Sequence, residues 1–148
     1  MTQTSTRVMS THRSRSDSPR LRWTVIVLEA LVAVNAIWAG VTMMKNPLTP
    51  LGVTTDLIAG SPFHTYTWPG ILLLVLNGIV PAALAIGLVA RSHGAMLLSA
   101  AWGLGFMAWI VTQWFLLSDV LWLQYVLFVV GAVVAGCAIT ALRHERRH

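Results

Sequence analysis

Residues 23–44 read WTVIVLEALVAVNAIWAGVTMM, an almost unbroken apolar run with one carboxylate, Glu29, inside it. A helix of that length crosses the hydrocarbon core, which takes about 20 residues. An acid at such a depth costs at least ~2.5 kcal/mol on insertion scales, so Glu29 is expected to face protein rather than lipid. At about 100° per residue, Glu29, Ala33, Ala36 and Gly40 fall within a sector of roughly 60°. Small residues on that face let another backbone approach closely. The remaining spans must supply that neighbour, so this run makes the chain a membrane protein.

Composition agrees. Of 148 residues, 56% are hydrophobic and only 10% charged, and the mean hydropathy is +0.71. A soluble domain of this size cannot hide so much apolar surface. The net charge of +5 does not indicate nucleic acid, because the arginines sit at the ends of spans rather than on one face. The single cysteine, Cys137, lies in the last apolar stretch, where it reads as a small buried residue.

Before the first span, residues 1–20 carry nine Ser or Thr and the basic run around Arg13, Arg15 and Arg20. They read as a disordered, solvated tail. The long apolar run with an acid inside it, lacking a small-residue cleavage site, argues for an uncleaved span rather than a signal peptide. After Lys45 comes NPLTPLGVTTDLIAGSPFHTYTW, too interrupted to span. Pro47 and Pro50 end the first helix, and Thr54 or Thr55 is placed to cap a short helix through Ala59. Leu57, Ile58, Phe63 and Tyr66 are expected against the membrane surface.

Three further spans follow: 69–90, 94–117 and 120–142, with the first at 22–44. Pro69 opens the second at a first-turn position. Pro81 should kink it and free the carbonyl four residues back, that of Asn77. Short connections place each following helix antiparallel beside its predecessor. Ala101, Gly105 and Ala108 on the third, and Gly131, Ala135 and Ala138 on the fourth, read as packing seams. The fold class is therefore all-α: a four-helix transmembrane bundle with a structured outer loop between spans 1 and 2 and a basic tail over 143–148. Nine of the ten Lys and Arg residues fall at one end, against Lys45 alone at the other. The positive-inside rule puts both termini in the cytoplasm. Trp68, Trp114, Trp122 and Tyr66 would then form an outer aromatic belt, with Trp23 at the inner boundary.

No nucleophile–base pair or phosphate-cradling loop occurs, so no catalytic residue and no cofactor is assigned and the chain does not read as an enzyme. His144, Glu145 and His148 spell the letters H-E-x-x-H. A zinc site needs a third protein ligand, and the flanking Arg143, Arg146 and Arg147 repel a cation, so no metal is assigned. The polar residues inside the spans carry more. Asn35, Asn77, Gln113 and Gln124 fall in the outer half of the bilayer, as interhelical glue or as a polar pocket under the loop. Ser99 and Trp102 lie at the depth of Glu29. An acid near an indole suits a proton or a lipophilic cation, since the ring face attracts positive charge. A neutral, hydrogen-bonded Glu29, or a pair with Arg91, is the plainer alternative.

Two resemblances enter here. Ser61, Pro62, Phe63, Tyr66, Pro69 and Gly70 spell S-P-F-x-x-Y-x-x-P-G, which resembles the first connection of small uncharacterised bacterial four-span proteins. It implies the topology and no activity. Glu29 in the first span and Trp102 in AAWGLG more weakly resemble the small multidrug resistance transporters. Their first-span glutamate exchanges protons for cationic drugs, although their glycines follow the tryptophan at two and four positions, not at one and three as here. The expected function is a membrane protein without a catalytic site, an accessory subunit or a binder of a lipophilic ligand. The alternative is a proton-coupled exporter using Glu29. Expected partners are the lipid bilayer and a membrane-protein partner or a second copy of the chain.

Overall fold

The computed structural model describes residues 17–59, 61–116 and 122–145. Four helices in it are long and apolar enough to cross a membrane, and no strand occurs among the described residues. The protein is an all-α, four-helix membrane bundle.

The first helix runs Asp17–Lys45. It begins inside the stretch that composition assigns to the tail, because Asp17 and Pro19 both suit a first helical turn. The rest of that tail, residues 1–16, lies outside the described residues. At its far end Lys45 places a cation on the last turn, where it complements the exposed carbonyls. Glu29 is 0% exposed, Ala33 3% and Ala36 6%, and Gly40 is also buried, so the face defined by the wheel is the packed one.

The connection that follows folds on itself. Two 3₁₀ turns, Pro50–Gly52 and Thr55–Ile58, replace the single expected helix. Thr54 stands at the cap position of the second, yet its hydroxyl accepts no backbone N–H and instead donates to the Asp56 carboxylate at 3.0 Å. Ile58 and Tyr66, expected against the membrane surface, are turned inward at 4% exposure each. An amphipathic Tyr is stable there because its polar tip has a partner.

The second span, Thr67–Val89, is α-helical at both ends and π-helical over Leu73–Ile79. The Val80 N–H donates to the Val75 carbonyl, five residues back. In that register the next donor would be Pro81 and its acceptor Leu76. Proline has no N–H. That register leaves the Leu76 carbonyl without a backbone donor, one residue before the Asn77 carbonyl that α-helical spacing singles out, and the widened turn absorbs the proline. The span ends in a Schellman arrangement: Ser92 N–H reaches Gly87 O at 2.9 Å and Arg91 N–H reaches Leu88 O at 3.1 Å. Arg91 holds the left-handed position, with φ 55°, where glycine is usual.

The third and fourth spans, Ala95–Leu116 and Trp122–Glu145, pack closely. Their seam differs from the expected one on the third helix. A Cβ on Gly103 would lie 2.9 Å from Ala135 N and 3.1 Å from Gly131 O, whereas one on Gly105 would meet nothing within 4 Å. Ala101, Gly105 and Ala108 are exposed. On the fourth helix the expected Gly131, Ala135 and Ala138 are buried. The turn around Ser118 and Asp119 lies outside the described residues.

The first helix occupies the centre, packed along its length on the second and fourth; the third leans mainly on the fourth, and the second and third meet sparsely. A core of Val25, Ile26, Ala85, Leu88, Ala95, Ala100, Val134 and Ala138 joins all four helices at the end opposite the loop. The bundle is closed on three seams and open on the one between the second and third spans.

Candidate functional site

Glu29 sits fully buried on the central helix. The polar group beside its carboxyl is the Ser99 hydroxyl of the third span, also 0% exposed. Strict hydrogen-bond geometry is not met: neither Glu29 oxygen nor Ser99 Oγ has a partner among the described residues. Arg91 is exposed in its turn, and Arg22 directs its guanidinium to the Leu88 carbonyl, a favourable place for a cation at a helix C-terminus. Neither arginine pairs with the acid. Burying an unpaired carboxylate is far more costly than burying a neutral carboxyl, and the group beside this acid is an uncharged hydroxyl.

Trp102 is held one turn above Ser99. Its indole N–H donates to the Leu76 carbonyl at 2.9 Å, the group that Pro81 leaves without a backbone donor. Its ring stacks on Phe106 with centroids 5.1 Å apart and planes 10° from parallel, so one ring face is already covered. This contact bridges the open seam. Beside it lies a cleft of about 350 Å³, lined by Leu76, Asn77, Val80, Trp102, Gly105, Phe106, Ala108, Trp109 and Thr112. Asn77 is 3% exposed, and its Nδ2 has no hydrogen-bond partner among the described residues. Thr112 spends its hydroxyl proton on the Ala108 carbonyl at 2.9 Å. Gly105 and Ala108 of the exposed stripe on the third span thus line a cleft rather than a helix seam.

The four outer polar residues do not behave alike. Asn77 and Gln124 are buried, and Gln124 Oε1 has no partner among the described residues. Gln113 is half-buried. Asn35 is exposed on the lipid-facing side of the first helix, its Nδ2 donating back to Leu31 O at 2.8 Å. Asn35 therefore stands on a different side of its helix from the buried Glu29 face. Near Gln124, Trp114 packs against Tyr125 and Phe128 at 5.5 Å each.

The loop residues serve architecture. Tyr66 donates its hydroxyl to the Thr54 carbonyl and its N–H to the Pro47 carbonyl, both at 2.9 Å. Burial, and then the negative charge of Asp56, push its phenol above the ordinary 10.0. Ser61 donates to Ile58 O at 2.8 Å and accepts from the Phe63 N–H at 3.3 Å, while Pro62 is exposed between them. Pro69 lies in the first turn of the second span. A Cβ on Gly70 would lie 2.8 Å from Met43 Cβ and 3.0 Å from Gly40 O. The S-P-F-x-x-Y-x-x-P-G letters thus describe a staple and a helix crossing.

Sequence reasoning missed Trp109, Thr112 and the Leu76 carbonyl. Counting back from Pro81 by five instead of four would have found the last. His144 is exposed at the end of the fourth helix, and His148 lies outside the described residues. No group of three or more His, Cys, Asp or Glu able to hold a metal occurs among the described residues. Comparison of the chain with protein-family models, with curated proteins and with solved structures gives no match.

Proposed function

We propose that this is a non-catalytic protein of a bacterial inner membrane that binds a lipophilic ligand through the opening between its second and third spans, alone or as an accessory subunit. The observation that carries this reading is the cleft of about 350 Å³, which falls in the range of small-molecule pockets. Its walls are mostly apolar and aromatic, and a single amide supplies the polar contact. The excess of Lys and Arg at the end bearing both termini supports a cytoplasmic location for them. The 46–66 loop then lies outside. Filling the cleft tests the reading. Wild-type protein extracted in mild detergent should carry a bound small molecule in native mass spectrometry, and Ala108→Trp should lose it. Equal occupancy in both proteins, or a bare wild type that also takes up no lipophilic probe, would overturn the proposal.

Glu29 favours a second reading, because a fully buried acid with no cation beside it is the kind of group a proton-coupled exporter would use. Glu29→Gln separates the two. The amide is nearly isosteric and keeps the fold in either case. Under the ligand-binding reading, binding of a lipophilic cation is absent or unchanged in the variant from about pH 5 to about pH 9. A pH-dependent affinity seen only in the wild type would establish the exporter instead.

A further inference from the structure

We infer that the exposed face of the first helix is a seam between two copies of this chain, joined by Asn35 of each copy across a two-fold axis. The first helix packs into the bundle through the side that carries Glu29. Its other side is bare: Val27 is 51% exposed, Leu31 56%, Val34 67% and Trp38 61%. Lipid tails cover such residues as well as another helix does. They cannot answer Asn35. Its side chain is exposed on this same side. It lies ten residues before Lys45 and twelve after Trp23, roughly 15–18 Å from the two ends of the span and so near the middle of the hydrocarbon. One N–H of the amide donates to the Leu31 carbonyl at 2.8 Å. The second N–H and the carbonyl oxygen make no bond among the described residues, and a hydrocarbon tail offers neither donor nor acceptor.

An amide identifies its own partner, because it carries both a donor and an acceptor. Copies inserted by the same charge bias run in the same direction, which brings the two Asn35 side chains to one depth. A two-fold axis along the membrane normal then lets each free N–H donate to the other copy's Oδ1, two equivalent bonds across an isologous contact. A different membrane protein would need its own polar group at this depth, whereas a second copy carries one by symmetry. The spacing fits. Leu31, Asn35, Trp38 and Thr42 follow one another at four, three and four residues, the repeat that keeps two parallel helices in contact along a left-handed seam. A single Asn in such a seam specifies register and the number of strands. Area fits as well. Val27, Leu31, Val34, Asn35 and Trp38 together expose on the order of 500 Å², so a symmetric pair covers about 1,000 Å², where specific interfaces begin.

Cross-linking and sedimentation of the full chain test the seam. In a Cys137→Ala background, Leu31→Cys should form a disulfide-linked dimer in native membranes treated with copper phenanthroline. Ile86→Cys, at a position 69% exposed on the second span, should not. Sedimentation equilibrium in mild detergent should show the wild type as a reversible dimer. Asn35→Leu should weaken that dimer about tenfold, the size of an interhelical polar contact in model membranes. Asn35→Gln keeps an amide and should fall between the two. Helical circular dichroism checks that each variant folds. A wild type that is monomeric at every concentration, or a Leu31→Cys protein that does not cross-link to itself, would overturn the proposal. A dimer that ignores Asn35→Leu, or that links through Ile86→Cys instead, would place the interface elsewhere and overturn it too. Cross-linking of Leu31→Cys only to some other protein would make a foreign helix the occupant of this face and overturn the second copy.

Discussion

Tyr66 shows how one residue can organise a loop. Its backbone N–H and its hydroxyl tie Pro47 and Thr54 to the start of the second span, so the ring closes the connection from inside. The hydroxyl bond contributes about 1 kcal/mol, the usual net value for a neutral pair. Because burial and Asp56 hold the phenol neutral to higher pH than usual, the folded loop binds this proton more tightly than an open one does. Its stability is therefore complete below about pH 10 and falls as pH rises through the folded value. Tyr66→Phe should loosen the loop at neutral pH and remove that alkaline dependence. Phenolate absorbance checks it: the difference between wild type and Tyr66→Phe isolates Tyr66 from Tyr125. A difference curve centred at or below about pH 10 would contradict the assignment. Trp102 makes the complementary point within the membrane. Its N–H answers a backbone group, the Leu76 carbonyl, rather than a ligand.

The helices meet where side chains are smallest, and the glycines separate real seams from apparent ones. A Cβ on Gly40 would lie 2.8 Å from Gly70 O, and one on Gly103 would lie 2.9 Å from Ala135 N, in both cases backbone that cannot move aside. Gly105 has open space. Gly103→Leu should thus cost several kcal/mol, as overpacking in a tight core does or worse, whereas Gly105→Leu should leave stability nearly unchanged and only narrow the cleft. Thermal unfolding in mild detergent distinguishes them; similar losses in both would overturn the seam. Sequence reasoning located the fourth-helix side of this contact correctly and the third-helix side incorrectly. The reason is physical. Gly103 and Gly105 both lie in a run of small residues, and lipid imposes no polar face that would tell the packed side of a membrane helix from the lipid side. Glu29 had such a signal, since a buried acid must face protein, and its helix face was legible. The π-helical turn was not, because a proline interior to a span announces a disturbed register without saying whether the chain kinks or widens.

At the scale of the molecule, four antiparallel spans share one core but close only three seams. The first helix has small residues along the face it packs, from Ala33 and Ala36 to Gly40, and Gly40 lets the second span cross within backbone contact. The tight 90–94 turn joins the second and third spans at one end, and they meet sparsely beyond it, with the cleft between them. Span count, order and antiparallel direction could be read from hydropathy and short connections. Which neighbours pack could not, because chain adjacency suggested a second–third seam that the structure leaves open. Orientation rests on charge, with five Lys or Arg up to and including Arg22, one in the 90–94 turn and three from Arg143 onward, against Lys45 alone. Two exposed residues on opposite ends test it. Thr54 contributes its carbonyl, not its side chain, to the Tyr66 staple, so Thr54→Cys should preserve the loop, and Ser92→Cys lies in a turn with its side chain exposed. Each is made in a Cys137→Ala background, which removes the native thiol. A membrane-impermeant maleimide added to intact cells should label Thr54→Cys at once and reach Ser92→Cys only after permeabilisation. Labelling in the reverse order would overturn the orientation read from charge and put the 46–66 loop in the cytoplasm.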